Sequence, residues 1–272
     1  MTEKHTRTRK YAAILIAAAA ALAALLYGCA AGNDIPVSSL YYKLPEKLAA
    51  GKFDSDYAAK MNRTTYSYSD RNIYISVRND ALFVSGTDPS GDGVKSLTVP
   101  GGCFTGTAGS GSTAGSLIFR TDGGTTMPII NESCRGIFPF GAGCIAVTFM
   151  PGNSEGAGAS GSVYMLTPAA DLTWSRQLIA ALDGVPDAAC LAADGSAVLV
   201  AVSGEKKSLV RISTDGKMST LTGSELFQKF TVSSLVEWRG SIYCASKTGI
   251  LGFDPTSEKE TWYPIDWRKL DS

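Results

Sequence analysis

Gly115-Ser-Leu-Ile-Phe-Arg-Thr-Asp-Gly-Gly124, Gly161-Ser-Val-Tyr-Met-Leu-Thr-Pro-Ala-Ala170 and Lys207-Ser-Leu-Val-Arg-Ile-Ser-Thr-Asp-Gly216 align without gaps, and Ser116, Ser162 and Ser208 are spaced by 46 and 46 residues. A fourth phrase, Gly249-Ile-Leu-Gly-Phe-Asp-Pro-Thr256, begins 41 residues after Ser208 or 42 after Lys207, depending on which of the two its Gly249 matches. Each phrase is a short apolar run that ends in a turn, the pattern of a strand rather than a helix. An apolar strand precedes each of the last three copies, at Cys144–Phe149, Ala197–Ser203 and Ile242–Ser246, and another follows, as at Thr173–Leu178 and Thr261–Ile265. The turn chemistry adds tight hairpins. Arg78-Asn79-Asp80 joins Ile73–Val77 to Ala81–Gly86, Asp194-Gly195 joins Ala189–Ala193 to Ala197–Ser203, and Arg239-Gly240 joins Leu235–Trp238 to Ser241–Ser246.

Four antiparallel strands in 40–50 residues is the size of one propeller blade. The phrase strand–Thr/Ser–Asp–Gly–strand resembles the outer hairpin of bacterial β-propeller repeats, without a WD or NHL-type signature. The resemblance implies an all-β chain built as a propeller-like array of about four or five four-stranded repeats; a β-sandwich or meander is the alternative. Residues 87–115 are either an insertion in a long first blade or part of two degenerate blades. If the period is real, Leu117, Val163, Leu209 and Ile250 share one buried position, and Asp122, Ala169, Asp215 and Thr256 share one exposed turn. Leu44–Met61 holds the only helical pattern near the start, and Gly51 interrupts it, so it reads equally as one helix or as two short turns.

The N-terminus carries an address. Lys4, Arg7, Arg9 and Lys10 stand against a single Glu3, and an apolar run from Ala12 to Leu26 leads to Leu26-Tyr27-Gly28-Cys29. A basic region, an apolar region and a small residue before the cut describe a secretory signal. An uncleaved membrane helix over Tyr11 to Ala31 is the alternative, since about 20 apolar residues span a bilayer. Leu26, Gly28 and Cys29 resemble the lipobox of bacterial lipoproteins, with Tyr27 a departure at a position that is usually small. The resemblance implies cleavage before Cys29 and lipid on its thiol, with a palmitate-type acyl chain on the new terminus. Two or more chains hold a protein firmly on a bilayer. The domains expected are a signal peptide over 1–28, a lipidated tether over 29–43 and a single β-repeat domain over 44–272. The localisation implied is the cell membrane or outer membrane, anchored by lipid and facing the extracytoplasmic side.

The whole chain has 25 basic and 25 acidic residues, and its single histidine is His5. Four basic residues and one acidic residue leave with the signal, so the mature chain has 21 basic and 24 acidic side chains and no histidine. That removes the usual general base at neutral pH and every Ser–His or Cys–His pair. Without a concentrated basic surface, no nucleic acid is expected as a partner.

Other motifs fall away on context. Gly156-Ala-Gly158-Ala-Ser-Gly161 leads into a strand, not the helix that a dinucleotide site needs. Ser203-Gly-Glu-Lys206 and Lys247-Thr-Gly249 match penicillin-interacting motifs, but Ser203 ends a strand at a hairpin. Asp88, Ser90 and Asp92 resemble the first half of a calcium loop that lacks its closing acid, and they are a weak Ca²⁺ candidate. No other cofactor is expected. Cys103 and Cys134 sit beside turns and are the candidate disulfide, while Cys144, Cys190 and Cys244 read as buried apolar groups.

Asp171, Asp183, Asp187, Asp194, Asp215 and Asp254 mostly read as turn residues. Trp174, Trp238, Trp262 and Trp267, with Tyr66, Tyr68 and Tyr74, either pack between blades or mark a glycan- or protein-binding face. These readings converge on a non-enzymatic binding or scaffolding module of the bacterial cell envelope, with an envelope protein or glycan as partner. The alternative is an envelope glycan hydrolase that works with paired carboxylates.

Overall fold

The computed structural model describes residues 41–45, 48–53, 73–86, 95–109, 115–151, 159–169, 173–213, 215–229 and 231–265. They form five antiparallel sheets. The first has three strands in the order β1 (Tyr41–Lys43), β3 (Ala81–Ser85), β2 (Tyr74–Arg78). The second is a meander of β4 (Lys95–Val99), β5 (Gly102–Gly106), β6 (Leu117–Thr121) and β7 (Thr126–Ile130). The third runs β8 (Ser133–Phe140), β9 (Gly143–Met150), β10 (Ser160–Pro168) and β11 (Trp174–Leu182). The fourth runs β12 (Val185–Leu191), β13 (Ala197–Ser203), β14 (Lys206–Ile212) and β15 (Met218–Thr222). A four-residue helix α1 (Glu225–Gln228), N-capped by Ser224, leads to the fifth: β16 (Ser234–Trp238), β17 (Ser241–Ser246), β18 (Gly249–Asp254) and β19 (Lys259–Pro264).

The first strand of each four-stranded sheet packs on the first strand of the next, β4 on β8, β8 on β12 and β12 on β16, and β16 packs on the edge strand β2 of the first sheet. In space the sheets therefore follow the order second, third, fourth, fifth, first. This is the propeller-like array that the 46-residue period implied, and it excludes the sandwich. Residues 95–130 form a sheet of their own, so the stretch after residue 87 opens a second repeat.

Between successive sheets lies a buried cluster. Strand β13 shows why the second strand of a blade is a continuous apolar run. Ala197, Leu199 and Ala201 face the cluster shared with the third sheet, while Val198 and Val200 face the one shared with the fifth. A strand buried on both faces has no polar side to alternate with. The repeat register is equally plain. Leu117, Val163, Leu209 and Ile250 are all 0% exposed on the third strands, and Asp122, Ala169, Asp215 and Thr256 all lie in exposed turns.

The hairpin between β2 and β3 turns on Asn79 (φ 47°) and Asp80 (φ 55°), and that between β16 and β17 on Arg239 (φ 51°) and Gly240 (φ 80°). Two successive positive φ angles are the type I′ geometry whose twist matches the strands. For arginine this conformation is strained, and its side chain is correspondingly held. Arg239 Nη2 contacts Asp80 Oδ2 at 2.7 Å, and its guanidinium lies 4.5 Å from the Trp238 ring centroid. Trp238 Nε1 donates to the carbonyl and carboxylate of Asp80 at 3.2 and 3.1 Å. Turn residue Asp80 of the first sheet thus latches to the corresponding turn of the fifth. Along the same inner strands the Ser233 hydroxyl donates to the Ile73 carbonyl, and Ile75 N–H donates to Ser234 Oγ at 2.7 Å.

Two boundaries differ from the sequence reading. Tyr41–Lys43 pairs with β3, so the domain already includes the last three residues assigned to the tether. The helical pattern over 44–61 is not a helix in its described part. Leu44 N–H bonds to Leu82 O at 2.8 Å and Gly51 N–H to Trp262 O at 2.9 Å, which ties the segment across the first and fifth sheets. Residues 54–61 lie outside the described residues.

Two expectations follow. Leu209 is fully buried at a sheet-to-sheet interface, so Leu209→Ala should cost about 2–5 kcal/mol in urea unfolding, whereas Lys217→Ala in an exposed turn should leave the midpoint unchanged. The second concerns the latch: hydrogen bonds from Arg239, then Trp238, hold the Asp80 carboxyl below its ordinary value. A depressed folded value means that its stabilisation is present above the unfolded carboxylate pKa of about 3.9 and is lost as pH falls through the folded value. The urea midpoint of Asp80→Asn should therefore lie below that of wild type by a constant margin from pH 7 to about pH 4, and the two should converge in stronger acid.

Candidate functional site

Strand register places three cross-strand rows on the outward-running face of the fifth sheet. Tyr243 pairs with Gly252 and Gly252 with Thr261; Ala245 pairs with Ile250 and Ile250 with Tyr263; Asp254 pairs with Lys259. Ser241 lies two residues before Tyr243 on the same face. The only position in this patch without a side chain is its centre, Gly252. A Cβ there would lie 2.9 Å from Tyr263 Cε2 and 3.3 Å from Tyr243 Cε1, so the two rings lean over the glycine and leave no room for a substituent.

The result is a cleft of about 140 Å³ lined by Ser241, Tyr243, Gly252, Asp254, Ser257, Lys259, Thr261 and Tyr263. Its back wall is formed by Tyr243 and Tyr263, which pack on the cluster shared with the first sheet. Its rim is hydroxyls and one charge of each sign.

The omission is specific to this repeat. In the shared register Gly252 stands two residues beyond Ile250, where the other three copies place Phe119, Met165 and Arg211. Phe119 is buried and Met165 packs on the cluster shared with the next sheet. The fifth sheet gives up that side chain.

The two tyrosine centroids are 6.4 Å apart with their planes at 35°, and Tyr243 also leans on Trp238 at 6.0 Å. Burial, and next the neighbouring Tyr263, push the Tyr243 hydroxyl above its ordinary value, so it is a neutral donor at neutral pH. Asp254 is held below the usual carboxylate range, chiefly by the Ser257 hydroxyl and then by Thr256 N–H. Its Oδ1 accepts from Thr256 N at 2.9 Å and its Oδ2 from Ser257 Oγ at 2.7 Å. The carboxylate is ionised and turned into its own loop.

The other sequence candidates distribute as follows. Asp194 accepts from Ser196 N at 2.9 Å, and Asp215 lies 2.7 Å from Lys217 Nζ, both in turns as read. Asp187 is the exception. It is the extra residue of a β-bulge in the inner strand β12, and Arg135 is the extra residue of the equivalent bulge in β8. Bulges re-aim side chains. Burial raises the Asp187 carboxyl, opposed by the nearby charges of Arg135 and Lys207, which are both cationic. Arg135 Nε donates to Pro186 O at 2.8 Å, and its guanidinium sits 4.9 Å from the Phe149 centroid.

Trp174 packs on Phe104 at 4.7 Å and Trp262 on Phe53 at 4.9 Å, and Trp238 is in the latch. These three tryptophans are packing residues, not a binding face. Among the described residues all five cysteines are free. The candidate pair Cys103–Cys134 is not bridged: Cys103 donates to Phe104 O at 3.2 Å, and Cys134 to Gly136 O at 3.6 Å inside the core. Burial pushes the Cys134, Cys144 and Cys190 thiols up to about 12, and Cys244 up likewise, so they behave as apolar groups. Cys29, the calcium candidates Asp88, Ser90 and Asp92, and Asp171, Tyr66, Tyr68 and Trp267 lie outside the described residues. Among the described residues no group of three His, Cys, Asp or Glu side chains is placed to hold a metal, and no helix is long and apolar enough to cross a membrane.

Sequence reading missed the cleft. Its signal was present in the repeat alignment, as a glycine under three large side chains, but the tyrosines beside it could be assigned to one face only from the strand register.

Neither a protein-family model nor a curated protein sequence matches the chain. Among solved structures, a streptogramin B lyase structure aligns at a TM-score of 0.42 and 9% identity over 64% of this chain and 54% of that one. A functionally unknown protein from Desulfotomaculum acetoxidans DSM 771 aligns at 0.40 and 14% identity over 64% and 55%. A protein from Lactobacillus plantarum aligns at 0.42 and 12% identity over 72% and 65%. The chain spans between about half and two thirds of the length of these structures. The architecture stands on the five sheets and their packing.

Proposed function

We propose that this protein is a lipid-anchored binding module of the bacterial cell envelope, held on the extracytoplasmic side through Cys29 and taking its ligand in the cleft of the fifth sheet. The observation that carries the binding half is the cleft itself: Tyr243 and Tyr263 close over Gly252 and, with a rim of hydroxyls and one charge of each sign, frame about 140 Å³ of space. Aromatic rings beside a few convergent polar groups in a concavity have the chemistry of a small-ligand subsite. The lipobox-like Leu26-Tyr27-Gly28-Cys29 after a basic and an apolar segment supports the address.

The chemistry of the side chains favours binding over hydrolysis. A glycosidase pair needs one carboxyl kept protonated near a second that stays ionised. Asp187 is raised, but the charges acting on it are cations. Asp80, Asp194, Asp215 and Asp254 are all lowered and tied to their own turns or to the latch. The mature chain also has no histidine to act as a base.

The anchor is tested by metabolic labelling with an alkyne fatty acid in a bacterial host. Wild-type protein should carry the label and fractionate with membranes, and Cys29→Ser should carry none. Label that persists in Cys29→Ser removes the anchor from the proposal.

A further inference from the structure

We infer that the cleft of the fifth sheet is a saccharide subsite that selects a six-membered sugar ring bearing an acidic substituent. The inference rests on the binding reading above and names its ligand class.

Size comes first. A cavity of ~150 Å³ holds one benzene ring, and this cleft is about 140 Å³. Because the cleft is open to solvent on one side, it seats the face of one six-membered ring and leaves the ring's substituents at the rim. Its polarity excludes an apolar ring, since five of the eight lining residues are Ser241, Asp254, Ser257, Lys259 and Thr261. The aromatic geometry then separates a sugar from a flat base. A planar base stacks best in a parallel slot, whereas Tyr243 and Tyr263 form a wedge with planes 35° apart and centroids 6.4 Å apart. A wedge suits a puckered ring, whose C–H face rests on one tyrosine while its hydroxyls reach the Ser241 and Thr261 side chains. The hydroxyls of serine and threonine both donate and accept, as sugar hydroxyls do.

Charge selects the substituent. Asp254 and Lys259 are register partners across β18 and β19, yet no ion pair joins them. Both oxygens of Asp254 are taken by Thr256 and Ser257. The ion pairs Arg211–Asp194, Lys217–Asp215 and Arg239–Asp80 do not involve Lys259. The Lys259 ammonium is therefore an uncommitted positive charge on the rim, within the lining of the cleft. A carboxylate on the sugar ring supplies its partner.

The test uses the full-length protein in detergent and isothermal titration with D-glucuronic acid, D-glucose, acetate and uridine. Wild type should bind glucuronic acid about three- to fivefold tighter than glucose, the factor that one exposed ammonium–carboxylate contact supplies. Lys259→Gln, a change at an exposed rim position, should erase that preference and keep glucose binding. Gly252→Phe, which restores the side chain found at Phe119, should abolish binding of both sugars; Tyr263→Ala serves the same purpose if Gly252→Phe does not fold.

Equal affinity for the two sugars in wild type overturns the inference. So does a preference that survives Lys259→Gln, acetate binding as tight as glucuronic acid, or uridine binding tighter than either sugar. Glucose or uridine binding that is lost in Gly252→Phe, without any acid preference, would overturn the acidic-sugar inference and leave the cleft a binding site. No binding of any probe overturns the inference and removes the support for the cleft as the ligand site.

Discussion

The contact on which the array depends is the one between the last and the first sheets of the chain, where the fifth sheet meets the first. Every other junction joins sheets that are consecutive in the chain, so the connecting segment already holds them close. The first and fifth sheets are about 150 residues apart along the chain, and their contact must offset a much larger loop entropy. The structure concentrates directional bonds there. Asp80 receives Trp238 and Arg239, Ile73 receives Ser233, and Ser234 receives Ile75. Gly51 adds a backbone bond to Trp262 from the N-terminal side. Apolar burial alone is non-directional and would not fix the register of two inner strands. The bonds between the turns do.

This junction also bears on where the cleft lies. The first sheet contributes three short strands, and its packing covers the Ala245, Ile250 and Val236 part of the opposing face. Farther along β17, β18 and β19 the same face continues as Tyr243, Gly252, Thr261, Asp254 and Lys259. In the second and third sheets the equivalent third-strand position is occupied by Phe119 and Met165, under a neighbour of four strands. A side chain as large as Phe at 252 would have to displace both tyrosines. The glycine and the tyrosine wedge therefore act together, and neither makes the cleft alone.

Much of this was legible in the amino-acid sequence, and the limits are physical. The hairpins at Asn79-Asp80, Asp194-Gly195 and Arg239-Gly240 were readable because residues in these turns take positive φ. The repeat register was readable because burial on both faces forces the same apolar spacing into each copy. Strand β1 was not, since three residues carry no periodicity and its partner β3 lies some forty residues away. The non-helical path of 48–53 is set by Gly51, whose added Cβ would strike Pro264 at 2.7 Å. Such a close approach has no local signature. Trp174, Trp238 and Trp262, read as either packing or a binding face, pack, while the half-buried Tyr243 and Tyr263 line the cleft. Residue type could not separate the two groups, because it does not report which face a strand residue takes until the register is known.

The charge distribution divides the molecule by role. Asp80, Asp194, Asp215 and Asp254 are each satisfied by a turn or latch partner, so they stabilise local geometry and leave little field for a distant ligand. Arg135, Asp187 and Lys207 instead meet near the bulges of adjacent inner strands, where burial raises the carboxyl of Asp187 and lowers the ammonium of Lys207. Two cations around one carboxylate retain a positive remainder, but Arg135 is held by Pro186 and Phe149 and serves the junction between the third and fourth sheets. Lys259 has neither an anchor nor a counter-ion among the described residues, and it stands at the rim of the cleft. A charge without a structural use at the rim of an opening without a side chain is what distinguishes a recognition surface from a folding device.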